Sequence, residues 1–175
     1  MKEVSIQFTS TEGDVYELTC EQAIERYYSA LYSYCFRMLD SQEDAEEVAQ
    51  EVFLRAYGRP RKPVLGPSRP WFYTIARNMC IDRFRWWSRW RALFSASDDT
   101  PEITPLTPDE PMTMLAPLIS SLPRSQKQVF LLRHLHDFST AETAKILKMS
   151  EGAVKSTLSR AVHRLRKTIE ENERK

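Results

Sequence analysis

Residues 95 to 111, SASDDTPEITPLTPDEP, limit the fold more than any other stretch, because they carry four prolines and five carboxylates and no basic side chain. Proline fixes φ and removes a backbone donor, so this segment predicts an extended, mobile linker. Whatever folds on one side of it folds apart from the other side. A chain of 175 residues is long enough for two small domains, each with a thin core.

Both flanks show helical periodicity. In EQAIERYYSALYSYCFRML, 21 to 39, the residues Ala23, Tyr27, Leu31, Tyr34 and Met38 recur at three- and four-residue steps. A second helix begins at Ser41, whose hydroxyl can cap it, and Asp44 suits the positive end of its dipole. Its inward stripe is Ala45, Val48, Ala49, Val52, Phe53 and Ala56, and it ends near Tyr57, before Gly58, Pro60, Pro63, Gly66 and Pro67. A third helix runs from Pro70 or Trp71 through RFRWWSRWR, 83 to 91. Beyond the spacer, Pro123 opens a helix, and Ser139 with Glu142 makes a capping box for a helix over 140–147. Met149 and Ser150 then form a short turn before the final helix. The fold class is all-α, with two small helical domains, 21–94 and 112–175, joined by the acidic linker 95–111. In the extension 1–20, VSIQF and VYELT around EGD form either a hairpin or a loose segment.

Net charge of +1 hides a strong polarity along the chain. Residues 1–54 hold 3 basic and 12 acidic side chains, 55–92 hold 10 and 1, 93–122 hold 0 and 5, and 123–175 hold 12 and 6. Two basic blocks separated by an acidic spacer fit surfaces that meet phosphate backbones and another protein; the alternative is a set of merely solvated faces. Cys20, Cys35 and Cys80 are too few and too widely spaced for a disulfide framework or a zinc site, and read as reduced and structural. His134 and His136 lack a third ligand nearby, so no metal is expected. With no apolar run long enough to span a bilayer and no signal segment at the amino terminus, the sequence predicts a cytoplasmic protein with no membrane insertion.

In SEGAVKSTLSRAVHRLRKTI the residues Val154, Leu158, Ala161, Val162, Leu165 and Ile169 share one helical face. Lys155, Ser156, Ser159, Arg160, His163, Arg164, Arg166 and Lys167 occupy the rest and form a dense donor array. A short capped helix, a tight turn and such a helix make the helix-turn-helix plan, in which the second helix enters the major groove of DNA. In the third helix, Phe72, Ile75, Ala76, Met79, Trp86 and Trp90 form an apolar stripe, with Asn78, Asp82, Arg85 and Arg89 on a polar one. Asp82 has two readings, a local salt bridge to Arg85 or Arg77 and a contact to DNA. Trp86 and Trp90 are expected to pack, while Trp87 beside Phe84 stays open between packing and an exposed contact.

The segment LPRSQKQVFLLRHLHDFSTAETAKILKMSEGAVKSTLSRAVHRLRK resembles the promoter −35 binding domain of bacterial extracytoplasmic-function (group 4) sigma factors of the sigma-70 family. The resemblance rests on Leu122, Pro123, Val129 to Arg133, Glu142, Ala144, Val154 to Ser156, Arg160 and Ala161, and departs from the family at Thr143, often isoleucine, and Thr157, often arginine. DAEEVAQEVFLRAY, 44 to 57, resembles the helix of these factors that binds the polymerase clamp, and WFYTIARNMCIDRFR, 71 to 85, resembles the part that melts the −10 element.

This resemblance implies a sigma region 2 over 21–94 and a region 4 over 112–175. It assigns Asp44, Glu47, Gln50 and Glu51 to core polymerase. Arg77, Asn78, Arg85 and Arg89 are assigned to −10 DNA, and Lys155, Ser156, Ser159, Arg160 and Arg164 to −35 DNA. The implied partners are core RNA polymerase, through its large-subunit clamp and flap, promoter DNA and an anti-sigma factor. Trp86 and Trp90 then pack either in the domain core or against polymerase. The resemblance implies no cofactor, no catalytic residue and no enzymatic activity. Two other readings compete: a helix-turn-helix regulator whose first domain senses or dimerises, and an enzyme acting on nucleic acid. The first leaves residues 44–85 as coincidence, and the second finds no catalytic carboxylate cluster, phosphate loop or metal set.

Overall fold

The computed structural model describes residues 5–9, 15–57, 68–93 and 110–173. The chain divides into two compact units, Met1–Thr100 and Pro101–Lys175. The breaks expected at Gly58 to Pro67 lie outside the described residues, as does most of the expected linker. Its last two residues, Glu110 and Pro111, belong instead to a helix, because proline is tolerated in a first turn, where the backbone N–H has no helical acceptor.

In the first unit residues 5–9 and 15–19 pair as two strands, which favours the hairpin over the loose form; residues 1–4 and 10–14 lie outside the described residues. Strand β1, Ser5–Thr9, pairs antiparallel with β2, Val15–Thr19, in the register Ser5↔Thr19 to Thr9↔Val15. Thr19 closes β2 and caps α1, Cys20–Leu39, through a capping box: its hydroxyl accepts from the Gln22 N–H, and the Gln22 side chain accepts from the Thr19 N–H. Asp40, in the left-handed region at φ 53°, stops α1. Ser41 accepts from the Asp44 N–H and starts α2, Gln42–Tyr57. After the undescribed segment comes α3, Arg69–Leu93.

These three helices pack around an aromatic centre. Phe72 of α3 lies 5.7 Å from Tyr27 of α1 and 5.2 Å from Phe53 of α2, measured between ring centroids. Tyr34 meets Tyr73 edge to face at 5.2 Å. The expected α2 stripe, Ala45 to Ala56, is buried throughout. Cys35 and Cys80 are buried free thiols, and the adjacent Cys35 together with burial pushes the Cys80 thiol well above its usual range. The Cys20 side chain lies outside the described residues.

The second unit contains α4, Glu110–Ser120, α5, Arg124–Phe130, α6, Thr140–Leu147, and α7, Glu151–Glu173. The last turn of the α5 segment, Leu131–Leu135, widens to π-type spacing, with His136 N–H donating to the Leu131 carbonyl at 3.1 Å. Leu122, Ala161 and Leu165 form a buried cluster, joined by Leu118 and Phe130. The Ser139–Glu142 capping box forms as expected at the head of α6.

Candidate functional site

The helix-turn-helix is assembled by short-range chemistry. Arg133 donates to the Phe138 carbonyl and so fastens the chain just before α6. Lys148, at φ 55° and ψ 49°, ends α6 in the left-handed conformation usually taken by glycine. Ser150 then accepts from the Ala153 N–H at 3.2 Å, capping α7. The turn is therefore closed by a backbone reversal and a hydroxyl cap within three residues.

On α7, Val154 and Ala161 are fully buried, Leu165 is nearly so, and Leu158, Val162 and Ile169 are half-buried, which bears out the apolar face. Thr157 joins that face and is buried, although periodicity in apolar residues alone passes over it. Lys155, Ser156, Ser159, Arg160 and Arg164 are all exposed, and no carboxylate interrupts α7 between Gly152 and Ile169. The structure thus brings these five onto one exposed helix. A surface of this kind can neutralise phosphates and offer hydrogen-bond donors to base edges.

The acidic face of α2 is arranged differently. Arg83, on α3, reaches Asp44 at 3.2 Å and Glu47 at 2.5 Å. The Asp44 side chain is only 15% exposed, so its carboxylate sits in the seam between α2 and α3, whereas Glu47 remains 64% exposed. Gln50 is exposed, and Glu51 pairs with Arg55 at 2.9 Å along the same helix. Leu54, 64% exposed one turn beyond Gln50, adds an apolar group that the sequence pattern did not flag. Arg83 was likewise missed; its only sequence signal is a basic residue one turn past Met79, which does not reveal its partners on another helix.

On α3, Arg77 Nη1 donates to the Asn78 side-chain oxygen at 3.0 Å, which leaves the exposed Asn78 amide NH₂ as its outward donor. Asp82 and Arg85 form a surface pair at 3.6 Å, favouring the salt-bridge reading of Asp82. Arg89 Nε donates to the Arg85 carbonyl at 3.3 Å. RFRWWSRWR does not continue the core. Burial along α3 ends at Cys80, and Trp86 and Trp90 are 49% and 42% exposed, so packing in the domain core is excluded for both. Trp87 is the half-buried ring of the three, lying edge to face with Trp86 at 5.4 Å and with Trp90 at 6.1 Å.

Among the described residues no three His, Cys, Asp or Glu side chains come together as a metal site, and no helix is long and apolar enough to cross a membrane. His134 is exposed and His136 is buried.

Comparison with known proteins returns two family models, sigma-70 region 2 over residues 23–91 and sigma-70 region 4 over residues 113–165. The chain is 33% identical over 156 residues to the ECF RNA polymerase sigma factor SigL of Mycobacterium tuberculosis, covering 84% of this chain and 86% of that one. It is 32% identical over 167 residues to the RNA polymerase sigma-E factor of Streptomyces coelicolor, covering 90% and 88%. SigX of Bacillus subtilis, another ECF RNA polymerase sigma factor, is 30% identical over 165 residues, covering 88% and 85%. Among solved structures, the sigma factor RpoE in complex with the anti-sigma factor NepR from Bartonella quintana matches with a TM-score of 0.69 at 21% identity, covering 86% of this chain and 96% of that one. CnrH in complex with the cytosolic domain of CnrY matches at 0.60 and 22% identity, covering 86% and 87%. At these identities the structural matches show the fold.

Proposed function

The chain belongs to the extracytoplasmic-function RNA polymerase sigma factors of the sigma-70 family, and from that membership we propose how its two units share the work. It binds core RNA polymerase and directs promoter-specific transcription initiation. The second unit, as region 4, reads the −35 element as duplex through Lys155, Ser156, Ser159, Arg160 and Arg164. What carries this assignment is the exposed surface of α7, free of carboxylates from Gly152 to Ile169, behind a closed turn. The first unit, as region 2, opens the −10 element. Arg77, Asn78, Arg85 and Arg89 line its DNA side, with Asn78 offering an amide donor to a captured base and the arginines following the backbone. Extruding each base costs a few kcal/mol, offset by capture contacts and by the polymerase.

Glu47, Gln50 and Glu51 face the polymerase clamp, supported by the exposure of Glu47 and Gln50 on one side of α2, with Glu51 half-buried one position on and paired with Arg55. Asp44 serves that surface by anchoring Arg83, which is shared with Glu47. The exposed Trp86 and Trp90 fit the remaining option for these rings, packing against polymerase. The protein acts in the cytoplasm, needs no cofactor and performs no covalent step of its own; nucleotide addition belongs to the polymerase. An anti-sigma factor controls it, in line with the complex that one structural relative, RpoE, forms with the anti-sigma factor NepR.

Footprinting on a promoter with permanganate as a probe for unpaired thymine tests the division. Core polymerase with this chain is expected to protect the −35 duplex and to make −10 thymines reactive. Protection at −35 with no reactivity at −10 would leave the helix-turn-helix regulator as the better reading.

A further inference from the structure

Arg160 stands on the exposed side of α7, yet its guanidinium is tethered. Nε donates to the Ser156 carbonyl at 3.4 Å, and Nη2 donates to the Thr157 hydroxyl at 3.1 Å. Thr157 is only 3% exposed, in the buried row that also holds Val154, Ala161 and Leu165. Its hydroxyl is therefore an acceptor held in the face that packs on the unit.

The geometry of the arginine makes the tether selective. Nε and Nη2 lie along one edge of the planar guanidinium, and this edge is the one bonded to the helix. The other edge, Nη1 with the second Nη2 hydrogen, keeps two parallel N–H donors. Two such donors match O6 and N7 of guanine in the major groove. A phosphate accepts an arginine from many directions, so orienting the fork in advance matters where two bonds must form together on a base edge. The Nε bond to the carbonyl is long and cannot hold the plane alone. Without the hydroxyl the side chain regains rotamers that must be ordered again at each encounter.

We propose that Thr157 is a positioning residue for base discrimination, its buried hydroxyl presetting Arg160 to read a guanine in the −35 element. This rests on the assignment of α7 to the major groove. The test uses the full chain with core polymerase on promoter fragments randomised across the −35 element, with the bound fragments sequenced. Four proteins are compared: the unmodified chain, Thr157→Val, Thr157→Ser and Arg160→Ala.

Arg160→Ala removes the guanine preference at one base pair. Thr157→Val, which keeps the shape and deletes the hydroxyl, lowers the preference at that same base pair about five-fold, the worth of one hydrogen bond, and leaves the other positions unchanged. Thr157→Ser retains the preference. Should valine disturb the packing in a thermal melt, Thr157→Ala supplies a second hydroxyl-free variant read in the same way. A hydroxyl-free variant that is folded and matches the unmodified profile, or weakens all sequences equally, overturns the role of Thr157 while leaving α7 as the reading helix. An Arg160→Ala profile with no base-specific change removes the assignment of Arg160 itself.

Discussion

In the first unit the acidic face of α2 is bonded to another helix: Arg83 of α3 holds both Asp44 and Glu47. In the second unit the hydrogen bonds of Ser156 and Arg160 stay within α7, to Ala153, Ser156 and Thr157. The proposed polymerase surface thus shares a residue with the packing between two helices, whereas the bonds of the proposed −35 surface, including that of Arg160 to the buried Thr157, run within one helix. Substitutions in the first should mix stability with binding. Those in the second should act mainly on binding.

The chain carries its own reporter for this contrast, because all four tryptophans, Trp71, Trp86, Trp87 and Trp90, lie in α3. Tryptophan emission follows the unfolding of the first unit, while circular dichroism follows both. The largest effect is expected from Arg83→Ala. It leaves the mostly buried Asp44 carboxylate without its cation and should destabilise the first unit by about 1–3 kcal/mol, seen as an earlier urea transition in tryptophan emission. The same variant should bind core polymerase more weakly. An unchanged transition would break the contrast at its strongest point.

Arg160→Ala is expected to cost about 1–3 kcal/mol of −35 sequence discrimination; because its guanidinium bonds the buried Thr157 hydroxyl, it should also lower the stability of the second unit by about 1 kcal/mol while leaving the tryptophan transition of the first unit in place. Glu47→Lys should lower core affinity about ten-fold in a titration with labelled protein, a size typical of reversing one charge against a complementary surface. The Arg83 contact means that it also costs a few tenths of a kcal/mol of stability, since the partner is a mostly exposed carboxylate. Ser139→Ala removes one half of the α6 capping box and should cost about 1 kcal/mol, visible in the circular dichroism of the second unit and absent from tryptophan emission. Smallest of all, Trp86→Phe should leave urea stability within about 0.5 kcal/mol, because the ring lies outside the core.

What could be read from the sequence was local. Ser41, Ser139 and Glu142 act within a few residues, so the starts of α2 and α6 follow from composition and spacing. The buried stripe of α2 also follows from a three- and four-residue period. The same period put Trp86 and Trp90 on the apolar stripe without telling that this stripe runs past the core. A helix of 25 residues extends roughly 37 Å against about 24 Å for the 16 of α2, so periodicity persists past the point where α1 and α2 can cover it. Arg83 was hidden for a related reason: its partners Asp44 and Glu47 lie on another helix, and their meeting depends on how α2 and α3 pack. Thr157 was hidden because a hydroxyl on a buried face looks polar in sequence and inert in packing. Its partner, Arg160, gives it a use.

In-vitro transcription bears most directly on the central claim. Purified core polymerase, promoter fragments selected by this chain and nucleotides are combined with and without the protein, and the RNA 5′ ends are mapped. A single start downstream of the selected −35 and −10 elements, dependent on the chain and weakened by Arg160→Ala, is the predicted result. Failure to bind core polymerase, with no start that depends on the chain, would contradict it.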